Sequence, residues 1–285
     1  MILDKLLRID RRVIFVLIAL AVIIPTATGL RMAPDITPRT QTLYDSMQAL
    51  KPGSVVVIVF DYGPGSSPEL NPMAAALVRH ALRQNLRVLG MTLDPSGPVL
   101  ADEILSRAGR ELGKTSGVDY VNLGYAPGYD AVILQMGSNV AKAFPNDFAG
   151  RPYAELPVTK GVRNYKDIAL VIDLASSNTP TAWILQAHQR FDANVAAGVT
   201  AVMATDYYPY LQSKQLVGLL NGLKGAAEYE RLAGYPGTGM KGMLAQSIAQ
   251  FVIIVFVIFA NVVYFISRRQ ARRAPTATGG GEPNA

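Results

Sequence analysis

The sequence predicts an α/β fold: a doubly wound, mostly parallel, Rossmann-like sheet set between N- and C-terminal transmembrane helices. Three observations carry this. Short runs such as "SVVVIVF" and "IALVIDLA" are apolar throughout and do not alternate, as strands covered on both faces must be. Most are followed by a helix-length segment with its own start and stop signals, and strand–helix alternation builds parallel sheets. Two longer apolar stretches bracket this body.

The elements follow in order. Residues 1–12 are a basic tail carrying Lys5, Arg8, Arg11 and Arg12. Residues 13–30 open on the dense "VIFVLIALAVII" and close on the weaker "PTATGL". They read as a transmembrane helix or uncleaved signal anchor; a cleaved signal peptide is the competing reading. Residues 31–53 are a proline-bearing linker and a helix, "QTLYDSMQALKPG", stopped at Pro52-Gly53.

The α/β domain is expected over residues 54–240. "SVVVIVF" is its first strand, and "NPMAAALVRHALRQN" a helix with Asn71 as N-cap and Pro72 in the first position. "LRVLGMTL" and "PVLADEILSRAGREL" repeat the pattern. "DYVNLGY" and "DAVILQM" read as two more strands joined by "APGY". Residues 137–167 are irregular, with one short helix. "IALVIDLA" is a strand, "TPTAWILQAHQRF" a helix opened by Thr179 and Pro180, and "VTAVMA" the last strand. "PYLQSKQLVGLLNGLKGAAEYERLAG" reads as one long helix with Leu216, Leu220, Leu223 and Ala227 on a stripe, and Gly218 and Gly222 open to a neighbouring backbone. Residues 243–266 hold no charge. As a helix they reach about 36 Å, against a hydrocarbon core of about 30 Å. Asn261 within them hints at helix association in the bilayer. Residues 267–285 are a basic tail, disordered by composition.

Charge sets the sidedness. The net charge is +6, and residues 1–12 with 268–285 contribute eight Lys/Arg against three Asp/Glu. The body is nearly neutral. The basic balance therefore reports topology at the cell (inner) membrane: two passes, both tails cytoplasmic, the domain extracytoplasmic. It argues against a nucleic-acid surface, which needs a basic patch on the folded domain. Cysteine is absent, which excludes thiol catalysis, iron–sulfur ligation and cysteine zinc sites.

The turn "DYGPGSSPEL" tests for nucleotide binding. A dinucleotide loop needs G-x-G-x-x-G between strand and helix. Gly63 and Gly65 fit, but Pro68 stands in the third place and Asp61 would repel phosphate. The loop reads as a turn, with Ser66, Ser67 and Asn71 capping the helix behind it. "GRELGKTSG" ends like a phosphate loop, but Ala108 replaces its first glycine. Gly113 reads as a helix C-cap. His80 and His188 lie in separate predicted helices without an i+4 partner, so no metal pair is implied. Trp183 reads as core. No cofactor is implied.

Ligands of open α/β sheets bind beyond the carboxyl ends of the strands. Asp61, Asp94, Ser138, Asn139, Asp173, Ser176, Ser177, Asp206 and Tyr207 are expected there. The four aspartates could hold a cation, a polyhydroxy compound or an amine. Asp, Ser and Asn also serve simply as loop and cap residues.

"DIALVIDLASSNTPTAWILQAHQRF", "AVMATDYYPYLQSKQLVGLLNGLKGAAEYERLAG" and the start "LLRIDRRVIFVLIAL" resemble a family of uncharacterised prokaryotic membrane proteins with two terminal membrane helices. The resemblance spans nearly the whole chain and is most specific in "DYYPYLQS". It implies no activity and no catalytic residue. In layout the chain is also similar to the extracytoplasmic auxiliary subunits of gliding-type ABC transport systems, which set a Rossmann-like region between terminal anchors. The leading expectation is a non-catalytic, membrane-anchored accessory protein that presents its domain to a partner membrane protein, such as one of a transport system, or to further copies of itself. The alternatives are a ligand-sensing domain with a site on the aspartate rim, and a hydrolase using Ser176 or Ser177, which would need a histidine or lysine within reach.

Overall fold

The computed structural model describes residues 11–29 and 34–273. The basic tails beyond these limits, and the first linker residues, lie outside the described residues. The chain divides into one unit over Arg31–Met243 and another formed by the two terminal segments.

In the central unit, helix α2 (Pro38–Gln48) precedes β1 (Val55–Asp61), α3 (Ser67–Arg83), β2 (Arg87–Thr92), α4 (Gly97–Leu112) and β3 (Tyr120–Tyr125). After β3 the chain crosses the sheet through α5 (Tyr129–Ser138), α6 (Val140–Ala143) and three single 3-10 turns to β4 (Leu170–Ala175). Helix α7 (Thr179–Ala182) runs through a π-helical segment, Trp183–His188, into α8 (Gln189–Phe191). Then come β5 (Val195–Val199), a 3-10 turn, α9 (Tyr208–Gln212), β6 (Leu219–Asn221) and α10 (Gly222–Leu232).

All six strands are parallel, in the order β3-β2-β1-β4-β5-β6. The order reverses between β1 and β4. This is the doubly wound arrangement that the continuously apolar strands predict. Every residue of β1 is buried, and alternate residues feed two cores. Val56, Ile58 and Phe60 join α2, α3, α4 and α10 on one face. Val55, Val57 and Val59 join α5, α6, the π-helical segment and the turn before α9 on the other. Each such buried Val or Ile contributes about 1.5–3 kcal/mol. Gly97 opens α4 so close to the sheet that a Cβ would collide with Phe60 O and Thr92 Oγ1. The helix start is thereby seated directly on the ends of β1 and β2.

Four expectations are corrected. "DAVILQM" is helix α5, which buries Val132, Ile133 and Met136 at helical spacing. The last strands are β5, four residues earlier than expected, and β6, inside the segment expected as one long helix. Lys214 and Gly222 take positive φ there, +60° and +52°, which no continuous helix permits. The stripe of Leu216, Leu220, Leu223 and Ala227 therefore spans a loop, a strand and a helix. Helix α3 starts a turn earlier than Asn71, and neither its N-cap Ser66 nor any other side chain caps it. Asn71 instead accepts a hydrogen bond from the Tyr62 hydroxyl at 2.9 Å. Gly113 does end α4 in the left-handed region, and Trp183 is fully buried.

Among the described residues one helix is long and apolar enough to cross a membrane, over Thr238–Ile266 within α11 (Thr238–Arg273). The N-terminal helix α1 (Arg11–Thr28) is apolar but shorter. Asn261 bonds the carbonyl of Val257 one turn back, at 2.8 Å, so its amide is satisfied within its own helix.

Candidate functional site

The reversal between β1 and β4 is the crevice where open α/β sheets bind ligands. Two aspartates meet beside it. The register pairs Val59 with Asp173 and Asp61 with Ala175. Asp61 and Asp173 are thus one diagonal step apart on neighbouring strands, with Cα atoms about 8 Å apart from strand spacing and rise. The parity puts both side chains on the same face, the one that also carries Val57 and Val171.

Both are buried, Asp61 at 1% exposure and Asp173 at 0%. Asp61 Oδ1 accepts from the Leu93 amide at 2.5 Å. Thr92 is a poor second donor: its hydroxyl is 3.4 Å from Asp61 but 2.7 Å from the Asp94 carbonyl, and one proton serves one of them. Asp61 Oδ2 and both oxygens of Asp173 have no hydrogen-bond partner. Such atoms are rare in folded proteins and call for a reason. The Thr179 hydroxyl, at the start of α7, acts on both carboxyls and partly offsets their burial, although its geometry falls short of a hydrogen bond.

Removal from water raises the Asp61 carboxyl to about 7, against the opposing pull of the Leu93 amide. Burial raises Asp173 well above the usual carboxylate range, and the neighbouring charge of Asp61 adds to it. Burial also pushes the Tyr207 phenol upward, with the Asp173 charge contributing. The centre is therefore a pair of buried carboxyls whose hold on their protons is raised, with Thr179 and Tyr207 beside them.

The expected rim residues divide. Asp61, Asp173 and Tyr207 come together. Asp94 stands at the edge, where its charge reaches Asp61 while its own carboxylate caps the turn by accepting from Ser96 N at 2.7 Å. Ser176 and Ser177 follow β4 directly. Ser176 N continues the ladder to Asp61 O at 3.3 Å, and Ser177 Oγ lies 3.5 Å from Thr179 Oγ1. Among the described residues no histidine or lysine bonds either serine. His80 is tied to Tyr229 and Gln48, and His188 to the Ala193 carbonyl. Ser138 and Asn139 end α5 instead of a strand. Ser138 bonds Gln135 O and Asn139 caps α6. Asp206 is exposed on a 3-10 turn.

Thr179 and Thr92 are the members that sequence reading missed. Thr179 looked like a helix opener only. Its position four residues beyond the end of β4 was the available signal. Among the described residues no three His, Asp or Glu side chains converge on one point, so two carboxyls with hydroxyl neighbours suit an ammonium better than a divalent cation, which takes six to eight oxygens when it is calcium. The strand order matches dinucleotide-binding sheets, but the carboxyl pair lies at the strand ends where a pyrophosphate would rest. No family model, curated protein or solved structure matches the chain, and its function therefore rests on this geometry.

Proposed function

We propose that the protein is a membrane-anchored sensing domain that binds a small cationic ligand, an amine, at the crevice between β1 and β4. The observation that supports this is the Asp173 carboxyl: fully buried at the strand reversal, without a partner for either oxygen, beside a second carboxyl with one free oxygen. An ammonium group would supply donors to these oxygens and pull both carboxyls into their charged forms. A thermal-shift screen of the full chain in mild detergent against primary amines, sugars and nucleotides tests the reading. Amines are expected to raise the melting temperature of the parent but not of Asp173→Asn. Equal responses in the two proteins, or stabilisation by nucleotides alone, would remove the amine site.

The reading includes two membrane passes, with the tails in the cytoplasm and the α/β unit outside. The chain has no cysteine, so one introduced thiol reports without background. Val202, on the loop after β5, is 87% exposed. Val202→Cys is expected to react with a membrane-impermeant maleimide in intact spheroplasts. Labelling only after lysis would invert the topology.

An accessory role toward a partner membrane protein is the second reading. It is favoured by the attachment of both flanking segments to α10. Glu228 accepts from Thr37 N and Oγ1, at 3.2 and 2.6 Å, just before α2. Glu230 accepts from three amides at the start of α11. Such carboxylate caps at both ends of the central unit suit a domain that offers a partner a firmly held body.

A further inference from the structure

We infer that the opposite end of the sheet carries a second site, a trough for a small aromatic anion. The trough encloses about 720 Å³. Its walls come from the segments that lead into β4, β5 and β6, so it lies at the amino ends of the strands, away from the carboxyl pair. Asn164, Tyr165 and Lys166 form one wall, and His188, Arg190 and Phe191 another.

Three features fix the ligand class. Phe191 is a shelf: it is 38% exposed although its ring packs 5.5 Å from Tyr165. Its seat exists only because residue 137 is glycine, where any Cβ would collide with the ring. A partly exposed ring seated against Gly137 and Tyr165 presents a face for stacking. Lys166 and Arg190 border the shelf and form no ion pair among the described residues. Two cations next to an aromatic face suit a planar ring that bears a carboxylate or phosphate. Asp192 also lines the trough and opposes an anion, which sets a sign that can be tested. It holds φ +57°, a conformation that asparagine tolerates equally well.

The chain supplies its own reporter. Trp183 is the sole tryptophan, and its ring lies 6.4 Å from Tyr165, which in turn contacts Phe191. Phenyl phosphate is titrated into the full chain in detergent, with Trp183 emission and ligand-observed saturation-transfer NMR as two readouts. Benzylamine and inorganic phosphate are titrated alongside, all three into Asp173→Asn so that the amine crevice proposed above does not contribute. Saturable binding of phenyl phosphate is expected, with benzylamine and inorganic phosphate at least about tenfold weaker. Arg190→Gln should weaken phenyl phosphate about tenfold. Asp192→Asn should tighten it about two- to fivefold. Absence of saturable signal in both readouts, equal binding of benzylamine, or an Arg190→Gln protein that binds like the parent each overturns the assignment.

Discussion

Asp173→Asn is expected to stabilise the α/β unit by about 2–3 kcal/mol at pH 8 and to change it little near pH 4. A buried carboxylate without donors is costly, whereas asparagine keeps the shape and carries no charge. The sign follows from proton linkage. Burial holds the Asp61 carboxyl near 7 and Asp173 well above its ordinary value. Between about pH 4 and those raised values the native state binds more protons than the unfolded chain, so stability falls as pH rises. A rise of three pKa units on Asp61 alone corresponds to about 4 kcal/mol lost across that window. Asn at 173 removes the share of Asp173 and leaves that of Asp61, which comes from burial with the Asp94 charge adding to it. The neutral amide, still buried without partners, returns about 1–3 kcal/mol of cost, which keeps the net gain moderate. Thermal melts of the full chain in detergent, followed by circular dichroism from pH 4 to 8, measure it. The parent curve should decline towards high pH, and the variant curve should be flatter. A variant that loses stability at pH 8 would mean that the carboxylate is well paired, and the amine site would fall with it. A residue with that cost, placed where open α/β sheets bind ligands, would fit a trade between stability and function.

The sequence shows the three-layered α/β/α frame clearly because burial on both faces leaves a mark in composition: β1 and β4 are continuous apolar runs over most of their length. The frame also makes Asp61 and Asp173 visible, since each interrupts such a run near its carboxyl end. What the sequence lacks is register. Only the pairing of Val59 with Asp173 turns two rim aspartates into neighbours on one face. Short apolar runs have no such safeguard. "DAVILQM" fits a strand or a helix by length, and only its buried positions, 132, 133 and 136, decide for the helix. Gly218 and Gly222 looked like small residues on a helix surface. In the fold, Gly218 lets Leu43 approach so that a Cβ would lie 2.5 Å from its side chain, and Gly222 turns the chain at positive φ. Both glycines serve β6, a three-residue strand too short to announce itself.

Glu230→Ala is expected to cost about 3–5 kcal/mol, the largest loss predicted from a single carboxylate in this protein. Helices begin with amides that no residue within the helix can satisfy. At the start of α11 these are met by Glu230, 3% exposed on α10. It accepts from Gly237, Gly239 and Met240 at 3.0, 2.8 and 2.9 Å. The approach depends on glycine, because a Cβ at 237 would collide with Glu230 Oε1 and one at 239 would lie 3.1 Å from its Cδ. Burial raises the Glu230 carboxyl while the three amides draw it back, and the positive end of a helix dipole also favours its charged form. Alanine would leave three donors without an acceptor in a site closed to water, each costing about 1–3 kcal/mol before relaxation. Glutamine keeps one acceptor and turns an NH2 towards a donor, so about 1–2 kcal/mol is expected. Hydrogen exchange on the full chain in detergent distinguishes this cap from a general loss of fold. Amides 237–243 should exchange at least about tenfold faster in the alanine variant, by the same free-energy scale, while those of β1 and β4 hold. Unchanged protection at 237–243 would show that the first turn of α11 is secured by apolar packing and not by this carboxylate. The second reading would then lose one of the two carboxylate caps that support it.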